Sequence, residues 1–157
     1  MTMSSCKIDL GGKHFVHIVD RSGELNVDLL KREKGTPMEK GITLTPQRWA
    51  WLRINIEYIE FALKNREHHE LHLGGNTFCK VQNDSVDIRQ YCKQGRKLVP
   101  TEKGTCLKAD QLARLINSLP YIRVAVPKLS SVVPCMFQSD HLTDEGTLQC
   151  QECSPNN

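Results

Sequence analysis

The chain has 157 residues, of which 39% are apolar and 25% charged, with a net charge of +3. That length allows one or two small domains. No apolar run approaches the ~20 residues that a membrane-spanning helix needs. The start, MTMSSCKIDL, lacks the apolar core of a secretory signal. The chain is therefore expected to stay inside the cell, with its seven cysteines as free thiols.

Taken in order, the first segments read as short strands. Lys7–Leu10 and His14–Val19 flank Gly11 and Gly12, and Leu25, Val27 and Leu29 alternate with polar residues. DRSGE at 20–24 has the Asp, Ser and Gly of a hairpin turn. Ile42–Leu44 makes a fourth strand, completing an antiparallel meander. A helix follows, with Thr45 as its cap and Pro46 at its first position. Its residues Trp49, Leu52, Ile56, Ile59 and Leu63 are spaced 3-4-3-4, the seam of a helix that packs on another helix. Trp51, Tyr58 and Phe61 form a second stripe, expected to face the sheet.

The polar string KNREHHE then leads into a second copy of the same pattern. EKGITLTPQRWAWLRINIEYI at 39–59 returns as EKGTCLKADQLARLINSLPYI at 102–122, an offset of 63. Leu10-Gly11-Gly12 and Phe15 return as Leu73-Gly74-Gly75 and Phe78 at the same offset. Val27-Asp28-Leu29 returns four residues early as Val86-Asp87-Ile88, which implies a shorter second turn. The second seam is Leu112, Leu115, Leu119, Ile122 and Val126. Pro120 lies within it, and either kinks the helix or ends it near Leu119. A unit of about 60 residues is marginal alone, so the two helices are expected to pair and share one core.

The order of elements, with KGITL at 40–44, PQRW at 46–49, VDIRQY at 86–91 and KGTCL at 103–107, resembles a family. It is similar to the C-terminal domain of the RNA polymerase II transcriptional coactivator positive cofactor 4. The resemblance spans both copies and leaves out the tail. It implies an α+β fold of two tandem ββββα units, each a four-stranded antiparallel sheet followed by a helix. They would pair as an intramolecular pseudo-dimer, since family members are homodimers. The boundaries would be 1–65, a linker at 66–69, a second unit at 70–128, and an acidic tail without regular structure at 129–157. The implied function is binding of single-stranded or melted DNA in transcription or genome maintenance in the nucleus, with transcription-machinery proteins as further partners. A monomer is expected, with a domain-swapped dimer as its variant.

Single-strand binding needs cations along the phosphates and flat groups for the bases. The resemblance puts Lys40 and Lys103 beside the channel, and Arg89 and Tyr91 on its strand. Lys93, Arg96 and Lys97 form a basic loop in copy two, and Lys13, Arg21 and Lys80 are weaker candidates on the hairpins. Two family aromatics are replaced. One position holds Arg21; the other holds Glu33 in copy one and Cys92 in copy two, where a restored Trp is expected to strengthen binding. Residues 7–65 carry ten Lys and Arg against eight Asp and Glu, and residues 69–126 carry nine against five. Copy two is thus expected to dominate. The alternative is a degenerate scaffold for protein interactions that keeps the fold and binds DNA weakly.

Nothing in the sequence argues for catalysis or a cofactor. The paired glycines sit between strands, not before a helix, so they are turn residues and not a phosphate loop. His68, His69 and His72 are read as linker histidines. Cys150 and Cys153, with Cys135 and His141, make an irregular Cys₃His set, and no metal is assigned to it.

Overall fold

A computed structural model describes residues 5–33, 39–134 and Cys150. Strands β1 (Ser5–Gly11), β2 (His14–Arg21), β3 (Glu24–Arg32) and β4 (Glu39–Leu44) form an antiparallel sheet in chain order. Helices α1 (Pro46–Ile54) and α2 (Ile56–Lys64) follow. A second sheet repeats the order with β5 (His69–Gly74), β6 (Thr77–Gln82), β7 (Ser85–Gln94) and β8 (Lys97–Lys108). Helices α3 (Ala109–Ala125) and α4 (Pro127–Ser130) come last. The fold is therefore mixed α+β, with two four-stranded antiparallel sheets, each followed by helix. β5 takes in His69 and His72, so these two histidines belong to a strand and not to a linker.

The two meanders share their irregularities. The register shifts between Asp9 and Gly11 in β1, and between His72 and Gly74 in β5, the same place one repeat later. The β2–β3 and β6–β7 turns are both two residues long, Ser22-Gly23 and Asn83-Asp84. The second turn is thus not shorter, contrary to expectation. The paired ladder of the second hairpin is instead two pairs shorter, two residues having gone from the turn end of each strand. An even loss keeps the same side chains on the same face, whereas a single deletion would have inverted the strand.

The first helix begins as its sequence dictates, with the Arg48 N–H donating to Thr45 Oγ1 at 3.3 Å. It does not run unbroken. The Asn55 side chain donates to the Trp51 carbonyl at 2.8 Å, and the helix restarts at Ile56. An Asn amide competes in this way for backbone acceptors. In the second unit α3 continues through Pro120 to Ala125. Its start lacks a Thr, and Gln111 Oε1 instead accepts from the Lys108 N–H at 2.9 Å.

Both seams are buried. Trp49, Leu52, Ile56, Ile59 and Leu63, with Leu112, Leu115, Ile122 and Val126, join the inner faces of both sheets in one apolar cluster, and Leu119 packs against it partly buried. α2 packs on α3, as the seams require. The helices also cross between units: α3 lies on β1, α1 on β5, and α2 on β6 and β7. The second stripe departs from expectation. Trp51 is half-buried, whereas Tyr58 and Phe61 are 54% and 55% exposed. With the broad face of the helices already taken by the seam and the other unit's strands, these two rings point outward. The start of the tail is also structured, against expectation: α4 docks beside α1 and Leu129 is 0% exposed. Cys135, His141 and Cys153 lie outside the described residues.

Candidate nucleic-acid interface

Strand alternation gives each sheet an inner and an outer face. On β6 the inner residues are Thr77, Cys79 and Val81, all buried, and burial pushes the Cys79 thiol up to about 12. Phe78 and Lys80 alternate with them and face outward. Pairing then builds a row across the second sheet: His72 beside Phe78, Phe78 beside Arg89, and Arg89 beside Gly104.

This row is rich in flat groups. The His72 and Phe78 rings stack with centroids 4.7 Å apart and planes 22° apart. Tyr91 meets Phe78 edge-on at 5.3 Å. The Lys80 ammonium lies 4.4 Å over Tyr91 and 5.8 Å over Phe78. A hydrogen bond with Tyr91 is the main cause that raises the Lys80 pKa, so the ammonium stays charged. Lys80, the weaker candidate by sequence, is thus at the centre of the group. Phe78, Phe15 and His72 are flat groups that the sequence expectation does not include. The signal was present: an aromatic between two buried inner positions, repeated at the same place in both copies.

The first sheet has a different row, Asp9–Phe15–Leu30–Gly41. Phe15 is flanked by two cations, with Lys7 Nζ at 4.9 Å and Arg32 Cζ at 5.4 Å from its centroid. A carboxylate and a Leu stand where the second sheet has His72 and Arg89.

The other candidates are scattered around these faces. Arg21 is held by Asp28 at 2.8 Å, and that hydrogen bond is the main cause of its raised pKa. Thr43 Oγ1 donates to the same buried carboxylate at 2.8 Å. Lys40 pairs with Glu33 at 3.6 Å, and Lys13 sits in the β1–β2 turn with φ 68°. Lys103 lies in a bulge, where three β8 residues stand between the Gly104 and Pro100 pairings. Lys93 and Lys97 are exposed on the strands of the β7–β8 hairpin, and Arg96 is exposed in its two-residue turn. Cys92 is exposed, and alternation turns it to the face opposite Tyr91. A Trp there would stand on the other face of the strand from the Phe78 group. A comparison of the sequence with protein-family models and with curated proteins finds no match.

Proposed function

We propose that this chain is an intramolecular pseudo-dimer that binds single-stranded or unpaired DNA on the outer face of the β5–β8 sheet. The observation that carries this reading is the Phe78 group, with His72, Tyr91 and the Lys80 ammonium gathered on one half-exposed face. Stacking contributes roughly 1–3 kcal/mol per base, and cations beside the rings draw in the phosphates. The exposed basic hairpin extends the same strands and offers further phosphate contacts.

The pseudo-dimer is supported by reciprocal contacts. Tyr58 of α2 meets His69 of β5, with ring centroids 4.6 Å apart. One repeat later, α3, which carries Tyr121, lies on β1, which carries Cys6. Equivalent elements thus pack on each other in both directions, as a two-fold arrangement would have them. A place in the nucleus, in transcription or genome maintenance, follows from the family resemblance alone. The second reading, a scaffold for protein partners, is favoured by the exposed Tyr58 and Phe61.

Titration of labelled single-stranded and duplex oligonucleotides at low and moderate salt tests the proposal. Single strands should bind more tightly than duplex, and the affinity should fall with salt as counterions are released. The Phe78→Ala variant should lose about 1–3 kcal/mol of binding. Absence of single-strand binding at low salt would leave the scaffold reading. An RNA strand of the same sequence, bound as tightly, would widen the ligand class.

A further inference from the structure

We infer that Arg89 acts as a stacking surface for an unpaired base, not as a phosphate clamp; this rests on the nucleic-acid reading above. The side chain lies across Gly104. A Cβ added at residue 104 would stand 2.7 Å from Arg89 Cζ and 2.8 Å from its Cγ and Nη1. The glycine therefore makes the room in which the guanidinium lies against the sheet.

The edges of that group are already engaged. Its Nε–H donates to Asp87 Oδ2 at 3.1 Å and to Oδ1 at 3.3 Å. Nη2 donates to Asp87 Oδ1 at 2.9 Å, and Nη1 donates to the Thr101 carbonyl at 2.8 Å. Guanidinium N–H bonds lie in the plane of the group. Acceptors on two edges consequently fix the plane and leave its face. The Asp87 carboxylate also offsets the charge that a phosphate would feel, and both partners are half-buried, at 23% and 29% exposure.

The acceptor from β8 is itself built in. The bulge brings Thr101 into place, where its hydroxyl donates to the Gln90 carbonyl at 2.7 Å and accepts the Lys103 N–H at 3.2 Å. Arg89 stands directly beside Phe78 in the row. A guanidinium plane is a known substitute for an aromatic ring against a base. Asp87 is on this view a positioning residue. The first sheet has Leu30 at the equivalent position, and its Asp28 is met by Arg21 from the end of β2 instead.

The experiment uses the full chain and a labelled single-stranded DNA across a salt series, beside a strand of the same length made of abasic nucleotides. Arg89→Lys keeps the charge and loses the plane. It is expected to weaken binding of the normal strand about as much as Arg89→Ala, roughly 5- to 100-fold. Both variants should keep the wild-type salt slope and bind the abasic strand like wild type. Gly104→Ala keeps the arginine and displaces it, so it should also weaken binding without changing the slope. Its thermal melt reports whether the fold is intact. Arg89→Lys binding like wild type, or an Arg89→Ala slope lower by roughly 0.7, would overturn the inference and leave the nucleic-acid reading standing. A wild-type chain that binds no single strand overturns both.

Discussion

Equivalent residues in the two copies do not carry equivalent burdens. Gly41 and Gly104 occupy the same place in the repeat. A Cβ at Gly41 would stand 1.8 Å from the Leu29 carbonyl oxygen, whereas at Gly104 the three nearest atoms it would meet all belong to the Arg89 side chain. Backbone cannot yield as a side chain can. Gly41→Ala should therefore lower the thermal midpoint by several degrees, while Gly104→Ala should leave it near wild type and reduce binding. His14 gives a second residue-scale prediction. Its ring is 4% exposed and its Nδ1 lies 3.3 Å from the Thr105 hydroxyl of the other unit. Burial lowers its pKa, helped by Lys31 and opposed by Asp110. The unfolded chain then takes up the proton more readily than the folded one. Stability from this group is present above about pH 6.5 and declines as the pH falls through that value. Urea midpoints measured between pH 7.5 and 5.5 should drop for wild type and drop less for His14→Thr, the residue found at the equivalent Thr77.

At the scale of elements, the helices matter more as partners than as covers for their own sheets. Leu52 and Leu115 are 1% and 0% exposed in the shared core. Truncation of either to Ala should cost about 2–5 kcal/mol, and a charged residue at either should unfold the chain, as circular dichroism would report. α4 is short but not incidental. Leu129 is fully buried, so Leu129→Ala should destabilise the chain by a similar amount, which a denaturant titration would measure. An unstructured segment from residue 129 onward would instead make that substitution silent.

The whole molecule is a duplication in which one copy is equipped differently from the other. The second sheet has His72, Phe78 and Arg89 in one row, while the first has Asp9, Phe15 and Leu30. Lys40 is paired with Glu33, a pair that offsets its charge locally. Phe78→Ala should consequently weaken single-strand binding more than Phe15→Ala in a fluorescence anisotropy titration, and equal losses would show that both sheets bind alike. Because α1 and α2 lie on strands of the second unit, residues 1–65 alone should expose their seam and aggregate, whereas the full chain should scatter light as a monomer.

Much of this was legible in the sequence. The strands, the capped start of the first helix and the 3-4-3-4 seams follow from local spacing, because alternation and helical period are properties of neighbouring residues. The repeat itself fixed the number of units. The outward face of Phe15 and Phe78 was legible too, since both alternate with buried positions. Other features depend on residues far apart in the chain. Gln111 Nε2 donates to the Gly11 carbonyl at 3.2 Å, and His14 meets Thr105. Contacts of that range determine which sheet each helix lies on, which leaves Tyr58 and Phe61 about half exposed. The row that sets Arg89 between Phe78 and Gly104 likewise needs three strands brought into register. No local pattern encodes it, because each pairing is chosen by burial of the opposite face of the sheet. The tertiary structure alone decided that arrangement, and with it the surface on which the proposed function rests.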